Sequence, residues 1–158
     1  MKEYQVFEEY QICETTEALE PFKHEKYCTK ITDRNGVFYT SKSITQLLIM
    51  ACYEGASTLE GSRKAVTYTL RFNQKTPLPI NIRKNIYAFP TCSPDDPDCT
   101  WIFVSHILGT ISLDRLSTLI RFKSNNKITV AVSEYTINEQ RKRTTLVIMR
   151  FSGFDKIS

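Results

Sequence analysis

The sequence predicts an α+β fold, a mainly antiparallel β-sheet with about two helices in a single domain spanning residues 1–158. Three observations carry this expectation. Short β-branched and aromatic runs with period-2 alternation recur along the chain. Turn signals such as Arg34-Asn-Gly36 and Lys123-Ser-Asn-Asn126 separate them. One segment with clear helical spacing, Ser43–Gly55, sits between the strands.

Taken in order, strands are expected near Tyr10–Cys13, Tyr27–Ile31 and Val37–Tyr39, the last two joined at Arg34-Asn-Gly36. In Ser43–Gly55, Ile44, Leu47, Leu48, Ala51 and Cys52 share one helical face; Ser43 and Gln46 stand at capping-box spacing and Gly55 supplies the stop. Further strands are expected at Ala65–Phe72, Ile86–Phe89 and Trp101–Ile107. The alternation around Trp101 predicts a strand buried on both faces, with Trp101 and Phe103 in the core. Thr118–Phe122 and Lys127–Val132 flank Lys123-Ser-Asn-Asn126 as a hairpin. A second helix is expected from Thr136, capped with Glu139, to about Arg150.

At 158 residues and 41% hydrophobic, the chain is long enough for one domain with a substantial core. It holds no apolar run of about 18 residues that would span a membrane. The acidic N-terminus lacks an apolar signal-peptide core, which reads as a cytosolic protein. Cys13, Cys28, Cys52, Cys92 and Cys99 are scattered and include no C-x-x-C pair, so reduced and largely buried thiols are expected rather than a zinc site or disulfide scaffold.

Charge is distributed unevenly. The formal net charge is only +4, yet residues 61–94 contain no Asp or Glu and carry Arg63, Lys64, Arg71, Lys75, Arg83 and Lys84. Tyr68, Phe72, Tyr87 and Phe89 are interleaved with these cations. Residues 115–150 form a second basic segment that includes Arg141, Lys142 and Arg143, while residues 1–20 and 95–114 are acidic. Acidic segments could neutralise the basic ones within the fold. Otherwise such runs face water or meet a polyanion, of which nucleic acid is the commonest.

Catalytic and metal patterns are weak. On a single strand from Trp101 to Ile107, Cys99 and His106 would stand about 20 Å apart, too far for a nucleophile and its base. Asp95-Asp96-Pro97-Asp98 lacks the ligand alternation and glycine of a calcium loop. No phosphate-binding glycine loop, H-E-x-x-H or G-x-S-x-G pattern occurs. The chain reads as a non-enzyme without metal or cofactor.

Several of these residues fall into a collinear series. Gly61-Ser-Arg63-Lys64-Ala65, Thr67-Tyr68, Lys75-Thr-Pro-Leu-Pro-Ile80, Tyr87-Ala-Phe89-Pro90-Thr91, Trp101-Ile102 and His106 follow the order R-K-A, K-x-P-P-I, F-x-F-P-T, W-I, H. Upstream Cys52-Tyr53-Glu54-Gly55 and downstream Gln140-Arg-Lys-Arg143-Thr144 extend it. From about Tyr10 to Phe151 the chain resembles the competence transcription factor ComK family of Gram-positive bacteria. The resemblance implies a sequence-specific activator of DNA-uptake genes. It implies binding to paired A/T-rich boxes through the minor groove, by a dimer or dimer of dimers that bends the DNA, in the cytoplasm at the nucleoid.

On that reading Arg63 and Lys64, after Gly61, are the leading groove or phosphate contacts. Arg71, Lys75, Arg83 and Lys84 would be phosphate clamps, and Arg141, Lys142 and Arg143 a second patch. The resemblance also implies a proteolytic adaptor as partner, although Phe154-Asp-Lys-Ile-Ser158 is unlike the F-M-L-Y-P-K-type tail peptide that such adaptors capture. A shortened paralogue that modulates a full-length factor through protein contacts, and a single-strand binder with exposed aromatics, are the alternatives.

Overall fold

Alternation of buried residues divides the molecule into two layers of antiparallel sheet. A computed structural model describes residues 3–153; the tail residues 154–158 lie outside the described residues. The first sheet contains β1 (Thr16–Pro21), β2 (Thr29–Asp33), β3 (Gly36–Thr40), β4 (Leu78–Asn81), β5 (Ile86–Pro90) and β6 (Trp101–Phe103), in the order β3-β2-β1-β6-β5-β4. The second contains β7 (Ile107–Asp114), β8 (Ser117–Phe122) and β9 (Lys127–Val130), in sequence order. Helices α1 (Ile44–Glu54), α2 (Leu59–Leu70) and α3 (Glu134–Phe151) complete the fold. Every strand pairing is antiparallel, so the α+β expectation holds, with three helices where about two were expected.

β5 and β6 are almost wholly apolar because both of their faces are covered, whereas β1 also buries Thr16 and Glu17. Leu19, Ala88, Trp101 and Phe103 pack with Leu47, Leu48 and Cys52 of α1. Ala18, Phe89 and Ile102 point the other way, against Ile120, Phe122, Ile128 and Val130 of the second sheet and Ile137 of α3. A third, smaller cluster joins Val66 of α2, Tyr87 and Val147 of α3.

The first helix forms as its sequence dictates. Ser43 Oγ accepts from the Gln46 N–H while Gln46 Oε1 accepts from the Ser43 N–H, a complete capping box. Gly55 ends α1 against β4, where an added β-carbon would lie 2.7 Å from the Ile80 carbonyl oxygen. Both expected hairpin turns, 34–35 and 123–126, are present, the second with Asn125 at φ +79°.

Four expectations are corrected. Ala65–Phe72 lies mostly in α2 rather than in a strand; Thr58 caps this helix by accepting from the Gly61 N–H, and Leu59, Ser62, Val66 and Leu70 recur at helical spacing. Tyr10–Cys13 forms no strand, and Tyr10 instead reaches inward to donate to Asp33. Trp101–Ile107 is interrupted by one 3-10 turn at Val104–His106, where the chain leaves the first sheet for the second. The cap of α3 is Ser133, which accepts from Thr136 N–H, so the helix starts before the expected Thr136–Glu139 box.

Candidate nucleic-acid interface

The two basic segments, separate in sequence, meet where the 71–77 loop crosses α3. Arg71 ends α2 in the left-handed conformation, φ +64°, with its N–H bonded to the Thr67 carbonyl. Thr67 Oγ1 donates to the Phe72 carbonyl at 2.8 Å and fixes the exit of the chain. From α3, the buried Gln140 amide donates to the carbonyls of Lys75 and Pro90, both at 2.8 Å. Arg143 donates to the carbonyls of Gln74 at 2.7 Å and Lys75 at 3.1 Å, and its guanidinium covers the Phe72 ring at 4.5 Å.

These bonds hold Lys75 outward at φ +48°. Beside them opens a cleft of about 640 Å³ lined by Arg63, Asn73, Gln74, Lys75, Ser93 and Asp95, among others. Lys64, Tyr68 and Arg71 fall at i, i+4 and i+7 of α2 and its cap, so they share the helix's solvent face. Arg141 and Lys142 lie on α3 next to Arg143.

The cations differ in how free they are. Lys64 pairs with Glu60 and Lys142 with Glu139, each at 3.2 Å between exposed side chains, an arrangement worth little stability. Arg143 is occupied by loop carbonyls, and burial holds its guanidinium pKa below the usual arginine value. Among the described residues Arg63, Arg71, Lys75 and Arg141 make no ion pair. Arg83 and Lys84 occupy the β4–β5 turn, at the far end of β4 from the 71–77 loop, so the structure does not gather them with the others. Lys84 instead lines a smaller cleft of about 240 Å³ with Glu14 and His106.

The acidic segments form no ion pair with this surface among the described residues, although Asp95 lines the cleft beside Arg63 and Lys75. Glu8 serves Thr40 and Ser41, and Glu17 accepts from the Asn126 amide. Asp98 reaches Lys23, outside both basic segments. Of the interleaved aromatics, Tyr87 and Phe89 are buried and Phe72 lies under Arg143, whereas Tyr68 is 78% exposed. Reading Ala65–Phe72 as a strand concealed the helical face on which Tyr68 and Lys64 stand.

The five cysteines are free thiols, but only Cys52 and Cys99 are buried; Cys28 is exposed and Cys13 and Cys92 are half-buried, which corrects the expectation of largely buried thiols. The Cys99 thiol donates to the Cys92 carbonyl, and burial pushes its pKa up to about 12. A thiol so held is a poor nucleophile. Among the described residues no group of three or more His, Cys, Asp or Glu side chains is placed to hold a metal ion. No helix among them is long and apolar enough to cross a membrane.

Residues 7–156 match the family model described as ComK protein. The chain belongs to the ComK family. It is 27% identical over 146 residues to the competence transcription factor of Bacillus subtilis (strain 168), an alignment covering 91% of this chain and 76% of that protein. No solved structure matches. The motifs that carry the ComK resemblance are largely parts of the scaffold here. Phe89 and Pro90 of β5, the following Thr91, and Trp101 and Ile102 of β6 are all buried, and Gln140 and Arg143 anchor the loop that follows α2.

Proposed function

We propose that this ComK-family protein is a transcription factor that binds double-stranded A/T-rich DNA, chiefly through the minor groove, and activates DNA-uptake genes. The observation that carries the reading is the docking of the 71–77 loop, with Arg71 and Lys75, on the helix that bears Arg141, beside a cleft shared by Lys75 and Arg63. None of these four cations makes an ion pair among the described residues. A narrow A-tract groove concentrates negative potential and attracts such cations, and the groove's degenerate base pattern suits A/T selection. Arg63 and Lys64 are proposed as groove or phosphate contacts. Arg71, Lys75, Arg141 and Lys142 are proposed phosphate contacts, and Arg143 supports them through the loop. Arg83 and Lys84 would meet a separate stretch of backbone. A homo-oligomer engaging two boxes, cytoplasmic and nucleoid-associated, with a proteolytic adaptor as a further partner, completes the proposal.

The single-strand alternative needs several exposed stacking rings along the basic surface. Of the four aromatics interleaved in residues 61–94 only Tyr68 is exposed, with Tyr135 at the start of α3 the other exposed ring of the basic segments. Fluorescence anisotropy with labelled A/T-box and G·C duplexes, at several salt concentrations, tests the proposal. Tighter A/T binding with a log–log salt slope of several units is expected. Equal affinity for both duplexes would overturn the A/T reading. Absence of binding by a folded chain would favour the paralogue that acts through protein contacts.

A further inference from the structure

We infer that the β7–β8 hairpin is a second DNA-contacting element, with Arg115 and Leu116 at its tip entering the minor groove and Arg121 and Lys127 holding phosphates beside it. The inference rests on the DNA-binding reading and deepens it.

The inner face of the second sheet is committed to the core through Ile107, Ile120, Phe122, Ile128 and Val130. Strand register sets the opposite face. Ile111 stands beside Leu119 and Thr129, and Gly109 beside Arg121 and Lys127. Neighbours of this kind share a face, and Ile111, Arg121, Lys127 and Thr129 are exposed. No described residue covers them.

Aliphatic exposure is concentrated here. Of the twelve large hydrophobic residues exposed among those described, four lie between 108 and 116: Leu108 at 54%, Ile111 at 45%, Leu113 at 53% and Leu116 at 71%. Such clustering marks an interaction surface rather than scattered surface leucines. The tip is preorganised. Asp114 Oδ1 accepts from the Leu116 N–H at 2.8 Å, closing a two-residue turn of Arg115 and Leu116. That hydrogen bond holds the Asp114 carboxyl below its ordinary pKa, so its charge is engaged in the turn.

Charge selects the occupant. From Ile107 to Val130 the chain carries Arg115, Arg121, Lys123 and Lys127 against the one acid Asp114. None of the four cations makes an ion pair among the described residues. A second copy pairing along β7 would leave these cations uncompensated, since the only acid that β7 brings is Asp114. The β7–β8 register also shifts between Ile107 and Gly109 and again between Ser112 and Asp114. Bulges of this kind discourage edge-to-edge pairing. The other sheet edges are short or covered: the segment at Val6 bridges to Tyr39 on β3, and β4 is four buried residues including Pro79. An arm with an apolar tip and cationic flanks instead fits a duplex, where aliphatic wedges enter the minor groove and cations hold the backbone.

Two double variants test the arm in the full chain: Arg115→Ala with Arg121→Ala, and Leu113→Ser with Leu116→Ser. Each is measured by anisotropy on the A/T-box duplex at several salt concentrations, by end-to-end energy transfer on a doubly labelled duplex, and by sedimentation. All four side chains are exposed, so retained thermal unfolding is expected. The arginine pair should lose at least about tenfold in affinity, with the log–log salt slope reduced by about 2. The leucine pair should keep the slope and lose bending of the duplex. Wild-type affinity, slope and bend in both variants would overturn the arm while leaving the DNA-binding function standing. If sedimentation then shows a smaller assembly, β7 is a self-association edge. A wild-type chain that binds no duplex overturns both readings.

Discussion

Arg143 holds its guanidinium 4.5 Å from the centroid of the Phe72 ring while donating to the carbonyls of Gln74 and Lys75. One side chain of α3 therefore sets the course of the loop that carries Lys75 and follows the cap at Arg71. A lysine could keep the charge but not the planar fork that stacks on a ring and serves two carbonyls at once. Arg143→Lys should lower stability by about 1.5–3 kcal/mol, the range for hydrogen bonds to charged groups, read by urea unfolding at constant m-value. Hydrogen exchange should rise in residues 72–76 before it rises in β5. Unchanged exchange in that loop would contradict the anchoring role.

Arg63 and Lys75 approach a common cleft from α2 and from the following loop. Reversal of both, Arg63→Glu with Lys75→Glu, should abolish measurable binding to the A/T duplex with the fold retained. The neighbouring Lys64 is partly neutralised by Glu60 at 3.2 Å. Glu60→Gln should therefore strengthen duplex binding by about two- to threefold. It should also cost some stability, because the carboxylate sits in the first turn of α2, but under about 1 kcal/mol since the pair is exposed. Retained affinity in the double reversal would remove this cleft from the interface.

The sheet was legible where local chemistry and burial agree. Trp101-Ile102-Phe103 reads as a strand covered on both faces because every residue is apolar, and each is at most 4% exposed. Asn125 marked its hairpin because an αL residue was needed there. β1 escaped notice because Thr16-Glu17-Ala18-Leu19-Glu20 reads as polar. Its Glu17 is buried by a partner distant in sequence, the Asn126 amide at 2.8 Å. In α2, the run Val66-Thr67-Tyr68-Thr69-Leu70 has strand propensity, and packing of Val66 against Val147 and Tyr87 overrides it. The same override hid half of the site. The cations were plain in the sequence. That Arg143 faces inward to the loop while Arg141 makes no ion pair depends on tertiary contacts that no local pattern encodes.

Two glutamates give opposite pH signatures. Burial raises the pKa of Glu20, whose Oε1 has no hydrogen-bond partner and stands 4.0 Å from Lys30 Nζ. A raised folded pKa means that the native state binds the proton more tightly, so this contribution is full at low pH and is lost as pH rises through the folded value. Hydrogen bonds from the Ser41 hydroxyl and N–H, and from Thr40, lower the pKa of Glu8. Its contribution is present above the unfolded value and is lost as pH falls through the folded one. Glu20→Gln should raise stability at neutral pH relative to pH 4, and Glu8→Gln should reduce the loss on acidification. Thermal unfolding between pH 3 and 7, with the buffers matched in ionic strength, reads both; parallel curves for all three proteins would contradict them.

Thiol reactivity offers an independent check on the core. Cys28 is exposed, whereas Cys52 and Cys99 are buried and burial raises the pKa of both, that of Cys99 to about 12. Since the thiolate is the reactive form, an aromatic disulfide reagent at pH 8 should modify Cys28 in the native protein within minutes. Cys52 and Cys99 should react at the rate of global opening, and all five should react promptly in denaturant. Peptide mapping identifies the sites. Rapid native modification of Cys99 would place the end of the β5–β6 connection outside the core.

Gly55 ends α1 with φ −86°, so its backbone asks for no special conformation and its need is for space. A β-carbon would sit 2.7 Å from the Ile80 carbonyl oxygen and 3.2 Å from the Asn81 Cα, both parts of the β4 backbone. Neither can swing aside as a side chain would. Gly55→Ala must therefore push α1 away from β4, disturbing the packing of Leu47, Leu48 and Cys52 beneath it. Overpacking of this kind costs about 1–3 kcal/mol, and the loss should appear as a lower urea midpoint. α2 begins at Leu59, after a three-residue link from Gly55, and carries Arg63 and Lys64, so the same shift should weaken binding to the A/T duplex. A variant as stable as wild type, with unchanged affinity, would show that the two elements are not held this closely.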